Sequence, residues 1–493
     1  MKNSDIMKNL SDVNESYIAN SRPSGRSART RRILAFTAAA AAIFAAVFGG
    51  YFGVKAIIGR NSERTAAADP TPVPVIHTTL PSTDEPAHTV PGDFAPRAYA
   101  LASYPETPGI DNGYYTFLNG LRTNGTMDCG LGLNDFYCRL AGDLLLTEKA
   151  GENAVCSPFN VYMALAMLAE ITDSETRAQI LDLLGSDSIS TLREQYAKVF
   201  EANYRNSEGI AVTIPAASIW LDKDIVYNTD AVEHLSSDYR ASVFGGEMGD
   251  PAYDALIKQW LDEQTHGLLK DKTDKAAKTD PTEIIKLIST LYFKAKWSDK
   301  FDAETKEMPF HSANGDQTVE FMSGTASDFV DCGSYILVGK ALQDGSNMWF
   351  ALPNEGVSLE SVIESGALSK ILDQSPDEYD NRVYLNMPKL DVAMSASLIG
   401  SLKRLGITDC FDPIKADFTP LTDVPSLFVS SVEHGARLIA DADGVEAAAF
   451  TAIDVKYGGL ITITRTVTLD RPFMFAVVSA DHAPLFVGTV YGF

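Results

Sequence analysis

The sequence predicts a mixed α+β fold built on at least one large β-sheet. Two observations lead there. Apolar residues recur at helical spacing from Leu133 to about residue 205, and beyond that point runs of strand type take over. No repeat of fixed period and no second linker-like stretch follows residue 95, so the globular part reads as one large domain.

Leu133, Phe136, Tyr137, Leu140 and Leu144 share one face of a first amphipathic helix. Ser157-Pro158 opens a second, because a Ser side chain caps free backbone amides and Pro is tolerated at the first helical position. Val161, Leu165 and Leu168 form its apolar stripe. Thr172 and Glu175 have capping-box spacing ahead of a third helix ending near Gly185. Ile210 to Leu221 then reads as a strand, and the nearly unbroken apolar run Ile284 to Phe293 as a strand buried on both faces. Tyr253 to Thr265 and Ser395 to Leu405 fit helices, while Met474 to Ser479 and Leu485 to Tyr491 supply two C-terminal strands.

The N-terminal part is of a different kind. Arg22, Arg26, Arg29, Arg31 and Arg32 immediately precede the apolar run Ile33 to Tyr51. A run of about 20 apolar residues is long enough to cross a bilayer, and arginines on its N-terminal flank hold that flank in the cytoplasm. The expected organisation is a basic, largely disordered cytoplasmic segment (1–32), a transmembrane signal anchor (33–54), a Pro- and Thr-rich stalk (55–95), an unassigned extension (96–132) and the globular domain (133–493), outside the cytoplasm. A cleaved signal peptide, with secretion, is the alternative. The length of the run, and glycines leading into Lys55 and Arg60 where a small-residue cleavage site would stand, favour the anchor.

A net charge of −24 argues against a nucleic-acid partner, since such proteins neutralise phosphates with clustered Lys and Arg. Five cysteines (Cys129, Cys138, Cys156, Cys332, Cys410) form no CxxC pair, so neither zinc nor thioredoxin-like chemistry is expected. Their odd number leaves at least one free; Cys129 with Cys138 is a candidate local disulfide outside the cytoplasm, and isolated buried thiols are the equal alternative. No GxSxG elbow, HExxH helix or P-loop occurs, and the histidines are scattered. Asp441-Ala442-Asp443-Gly444 has an acidic spacing like that of a calcium loop, but Ile439 and Phe450 occupy ligand positions of such a loop. Neither an enzyme nor a metal or cofactor site is expected.

A set of motifs in one order carries more information. Asn153-Ala154-Val155-Cys156-Ser157-Pro158-Phe159-Asn160 is followed by Trp260, Thr265 and Gly267, then by Leu291-Tyr292-Phe293-Lys294-Ala295-Lys296-Trp297 with Phe301. Met387-Pro388-Lys389-Leu390, Leu405-Gly406-Ile407-Thr408-Asp409-Cys410-Phe411, Ala416-Asp417-Phe418, Arg471-Pro472-Phe473 and Pro484-Leu485-Phe486-Val487-Gly488 complete it. In this order they resemble the serpin family over Leu133 to Phe493, and with the N-terminal run they read as a membrane-anchored, bacterial-type member. The resemblance implies a large mixed central sheet, two further sheets, about eight or nine helices and an exposed reactive loop.

It also implies a function: inhibition of serine endopeptidases by a suicide-substrate route. The protease cleaves the loop, an acyl-enzyme forms, and the loop inserts into the central sheet as a new strand. Gly444, Val445, Glu446, Ala447, Ala448, Ala449, Phe450 and Thr451 stand as the loop's hinge. If Val445, Ala447, Ala449 and Thr451 face inward, all are small or β-branched, while Glu446, Ala448 and Phe450 face out. A charge at an inward position would block insertion by its desolvation cost. The family's usual hinge length sets the scissile bond within Lys456, Tyr457, Gly458, Gly459 and Leu460. Tyr457 or Leu460 suits a chymotrypsin-like target and Lys456 a trypsin-like one, with elastase-like and cysteine proteases as further options.

Ser157 and His434 align with the family's shutter residues, the family's Asn is Ser289 here, and Trp297 stands at the breach. The shorter Ser289 hydroxyl is expected to weaken the shutter and ease its opening. A monomer is expected. A non-inhibitory serpin acting as a surface binding protein is the second reading.

Overall fold

A computed structural model of the protein describes residues 97–104, 132–207, 211–270, 273–374, 383–445 and 465–493. The expected cytoplasmic segment, anchor and stalk lie outside these residues. Among the described residues no helix is long and apolar enough to cross a membrane.

Helix α1 (Asn134–Asp143) buries Phe136, Tyr137 and Leu140, as the spacing predicts, and a π-helical turn continues it to Glu148. Helix α2 (Pro158–Glu170) begins at Ser157, whose Oγ accepts the Asn160 N–H at 3.2 Å. Its sequence is apolar far beyond the predicted stripe, and it is buried almost all round. Helix α3 (Ser174–Leu183) ends before Gly185, which adopts φ +65°. The expected capping box does not form. The Thr172 hydroxyl instead donates to the Leu168 and Ala169 carbonyls at 2.8 and 3.3 Å, closing the C-terminal end of α2, and Asp173 stands at the N-cap position of α3. Unpaired carbonyls one turn back outcompete amides three residues ahead. Helix α4 (Ile189–Asn203) starts at Ser188, and α5 (Thr229–Ser237) and α6 (Pro251–Gln264) start at Asn228 and Asp250, all three with side-chain caps.

The largest sheet runs in the order β1 (Arg97–Ala100), β5 (Ala241–Gly246), β4 (Ala211–Asp222), β6 (Ile285–Lys296), β15 (Gly444–Val445), β14 (Glu433–Ala440) and β13 (Leu390–Ser397), with β3 (Arg205–Ser207) paired to β4. It is mixed, since β4 and β5 run parallel and the other neighbours antiparallel. A six-stranded sheet runs β2 (Ala154–Cys156), β18 (Pro484–Val490), β17 (Phe473–Val478), β11 (Asn347–Pro353), β10 (Tyr335–Ala341) and β9 (Asp328–Asp331). A four-stranded sheet runs β16 (Thr466–Thr468), β12 (Val383–Pro388), β8 (Gly315–Ala326) and β7 (Lys306–Ser312).

Helix α2 packs against both β6 and β18, which centres the main core on Phe159, Tyr162, Ala166 and Met167. On the other face of the large sheet, α6 covers β4 through Trp220, Phe244, Tyr253 and Trp260, with the Trp220 and Phe244 rings stacked at 4.3 Å. Strand β6 therefore has a layer on each face, as its apolar run predicts. Much of Ile285–Leu291 nevertheless stays only half-buried, because among the described residues its flank toward β14 carries only the two-residue β15.

Two further expectations change. Ser395–Leu405 is not one helix: β13 extends to Ser397 and only Ile399–Arg404 is helical. The alternation of buried Leu390, Val392 and Met394 with exposed Asp391, Ala393 and Ser395 is a two-residue period, and it overrides the helical reading. Part of the unassigned extension also belongs to the body. Strand β1 extends the sheet beyond β5, and the chain after it is held by Ala102 N–H to Ser242 Oγ (3.1 Å) and by the Arg240 guanidinium to the Ser103 carbonyl (2.8 Å). Tyr104 ends this strap, stacked on Tyr204 and Phe200 at 5.3 and 6.2 Å, where burial pushes its phenol up to about 12.

Candidate functional site

Strands β6 and β14 flank the position where a further central strand would lie. The chain leaves β14 at Ala440, turns over Asp441–Asp443 and returns as β15, antiparallel to both neighbours: Val445 faces Ala440 and Ala295, and Gly444 faces Lys296. Asp441 builds the turn. Its N–H donates to the Gly444 carbonyl at 2.9 Å, and its Oδ1 accepts the Asp443 and Gly444 N–H groups at 2.9 and 3.2 Å. The acidic spacing that suggested a calcium loop is thus a hairpin turn.

Trp297 anchors this turn from β6. The indole is fully buried; its Nε1–H donates to the Asp441 carbonyl at 2.7 Å, and its backbone N–H to that of Asp443 at 3.3 Å. Gly444 is required here for close approach. A Cβ at that position would press into the Ala295 carbonyl oxygen and stand 3.0 Å from Lys296 Cα. Val445 is buried in the main core. The remaining hinge residues, Glu446, Ala447, Ala448, Ala449, Phe450 and Thr451, and the window Lys456, Tyr457, Gly458, Gly459 and Leu460 lie outside the described residues.

Farther along, the N-terminus of α2 ties both flanking strands from below. The Ser157 N–H donates to His434 Nε2 on β14 at 3.0 Å. Asn160 Nδ2 donates to the Ser289 carbonyl on β6 at 3.1 Å, and Ser289 Oγ donates back to the Asn160 carbonyl at 3.1 Å. Ser157 Oγ caps Asn160, so the two ties share one helical turn. Ser157, Ser289 and His434 are brought together, but the link between the strands runs through Asn160. Its amide and its carbonyl pair reciprocally with the Ser289 carbonyl and hydroxyl, so the short hydroxyl is bonded to the helix. Asn160 stood in the quoted motif three residues beyond the cap, and no spacing rule says that its side chain reaches β6.

His434 accepts a hydrogen bond through Nε2 and is enclosed on all sides, so its imidazole is neutral and burial lowers its pKa to about 4. A small pocket opens beside these ties, lined by Asn160, Thr265, Leu269, Leu291, Gly435 and Arg437, and so passes between β6 and β14. Among the described residues no group of acidic, His and Cys side chains is arranged to hold a metal. Cys138, Cys156, Cys332 and Cys410 are free thiols, and burial pushes Cys156 and Cys410 up to about 12; Cys129, the partner of Cys138 in the candidate disulfide, lies outside the described residues.

The comparisons agree with this geometry. Serpin-Z3 of Arabidopsis thaliana is 28% identical over 384 residues, covering 72% of this chain and 96% of its own. A serine protease inhibitor of Cyanea capillata is 26% identical over 359 residues, covering 70% and 94%. The crystal structure of the thermophilic serpin tengpin in its native state superposes with a TM-score of 0.66 at 26% identity, covering 80% of this chain and all of that one. The family model described as Serpin (serine protease inhibitor) matches residues 132–492. Because that match takes in β6, β14, the Asp441–Asp443 turn by which the chain enters β15 (the entry turn) and the whole stretch between β15 and β16, the chain belongs to the serpin family.

Proposed function

We propose that the protein inhibits serine endopeptidases as a suicide substrate, inserting its cleaved loop between β6 and β14. The observation that carries this reading is β15, a strand begun between those two neighbours and antiparallel to both. Continuing its register residue by residue would bring Thr451 opposite Ser289 and Val455 opposite Ile285, the far end of β6. The stretch that fits the sheet therefore stops just before the Lys456–Leu460 window, where the hinge count also puts the scissile bond. In that register Ala447, Ala449 and Thr451 share the face of buried Val445, and none is charged.

The driving force follows from bonds and burial. About a dozen residues each gaining a ladder bond worth roughly 1 kcal/mol give on the order of 10 kcal/mol before entropy. The uncleaved form is then held by a kinetic barrier, to which the Ser157–His434 and Asn160–Ser289 ties contribute. Tyr457 and Leu460 suit a chymotrypsin-like pocket, Lys456 a trypsin-like one. We further propose that residues 33–54 anchor the chain in a membrane with the inhibitor domain outside the cytoplasm, which rests on the Arg-flanked apolar run alone.

Incubation of the protein with chymotrypsin-, trypsin- and elastase-like proteases tests the first reading. An SDS-stable complex with at least one of them, cleaved within Lys456–Leu460, is the expected result. Loop cleavage by every protease without any complex would overturn inhibition and favour a binding role.

A further inference from the structure

We propose that Lys340 is a positioning residue for loop insertion: caged between two aromatic rings, it fixes Trp297 where the indole holds the entry turn. The inference rests on the insertion reading above and assigns a function to a charge which that reading does not use.

Lys340 lies inside β10 and is 1% exposed, an uncommon place for a lysine. Its Nζ donates to the Asp299 carbonyl at 2.6 Å and to the Thr325 carbonyl at 2.7 Å. It stands 4.3 Å from the centre of the Phe301 ring and 5.6 Å from that of Trp297, and those two rings meet edge to face at 5.6 Å. Two carbonyl oxygens and two π faces form a cage for a cation. An uncharged chain of the same length would fill this space without the cost of burying a charge, so packing alone does not account for a lysine.

The Lys340 cage connects to the entry turn within one residue. Trp297 forms one wall of it and donates its indole N–H to the Asp441 carbonyl. The end of β10 holds the same tryptophan from its other side: Ser298 N–H donates to the Ala341 carbonyl, Gln343 Nε2 to the Trp297 carbonyl at 3.2 Å, and Leu342 bridges to Trp297. Loss of the cation loosens the ring that sets where β15 begins. Insertion then competes less well with hydrolysis of the acyl-enzyme, and more loops are cleaved without trapping a protease.

The charges acting on Lys340 are the Asp299 and Asp302 carboxylates on the connection from β6 to β7; the Asp328 carboxylate on β9 lies against Gly339, on the other face of β10. The first is bonded by the Thr325 hydroxyl, the second by the Tyr384 phenol and the third by the Ser327 hydroxyl. Burial outweighs the attraction of Asp299 and Asp302 and draws the Lys340 pKa down to about 8. The cage therefore holds a cation at pH 7 and loses it in mildly alkaline solution.

The experiment compares the wild type, K340M and K340R by the number of inhibitor molecules consumed per protease trapped, from pH 7 to pH 9.5. At pH 7.5, K340M is expected to raise that number about tenfold, in line with loss of a buried cation–π contact. The wild type should climb toward K340M as pH passes about 8, while K340R, which keeps its charge, stays level. Equal consumption by K340M and wild type, or parallel pH profiles for K340R and wild type, overturns the proposal. If K340M does not fold, the comparison of wild type with K340R decides alone. If no protease is trapped, the inhibitory reading fails separately; Lys340 is then tested by the time the three proteins take to become heat-resistant after loop cleavage. Slower conversion in K340M upholds the role, and identical time courses remove it.

Discussion

His434 shows how far the meaning of a residue depends on its surroundings. In the sequence it is one of seven scattered histidines; in the fold it is enclosed, neutral and bonded to the amide at the start of α2. Its folded pKa of about 4 lies below the usual value near 6.5, so between these pH values the unfolded chain takes up a proton that the folded chain refuses. The stabilisation is complete above about pH 6.5 and is lost as pH falls through about 4, a loss of about 3 kcal/mol. Urea unfolding of wild type and His434→Gln should show a gap at pH 7 that narrows by about that amount at pH 4. A gap independent of pH would mean that His434 is not held neutral. Asn160 carries a related lesson: the cap at Ser157 is legible from Ser-Pro, whereas the bond from Asn160 to Ser289 joins residues far apart in sequence.

At the scale of elements, local signals worked where one period ruled alone and failed where two competed. The α1 stripe and the Ser157 cap stand as the spacing predicts. Thr172 serves the helix behind it, and Ser395–Ser397 follow the strand before them. For Thr172 the free carbonyls at the end of α2 settled the choice, and for Ser395–Ser397 the distant strand β14 did. Strand β15 is the element on which the proposed function turns, and Gly444 is the residue that lets it lie so close to β6. Gly444→Ala sets a methyl group against the Ala295 carbonyl and should expel β15 from its place. The expected outcome is a stable protein that consumes at least about tenfold more inhibitor per protease trapped, consistent with an overpacking cost of ~1–3 kcal/mol at the start of insertion. Unchanged consumption would show that β15 is not where insertion begins.

At the scale of the whole molecule the described part of the large sheet is narrow at one place. Two sheets and α2 enclose a continuous core, yet the large sheet has β6 and β14 separated by only the start of a strand among the described residues. Completing it should stabilise the molecule as a unit. Cleavage within Lys456–Leu460 is expected to raise the melting temperature by at least ~10 °C, taking the ladder gain as on the order of 10 kcal/mol spread over the unfolding entropy of a domain this large. Calorimetry before and after cleavage measures it, and a transition that does not move would count against insertion.

The sequence by itself determined the α+β class, the helices and strands with a single period, and the membership that its ordered motifs announce, because each is written in residues near one another along the chain. It also marked Ser157 and Trp297 within those motifs, and His434 and Gly444 through the family resemblance that the motifs carry. Only the tertiary structure decided what holds the site together. Asn160 spans from α2 to β6, Asp441 turns the chain under Trp297, Lys340 is caged behind that ring, and residues 97–104 strap the far edge of the sheet. These are contacts between segments far apart in sequence, and their geometry is fixed by how the layers pack rather than by any local spacing.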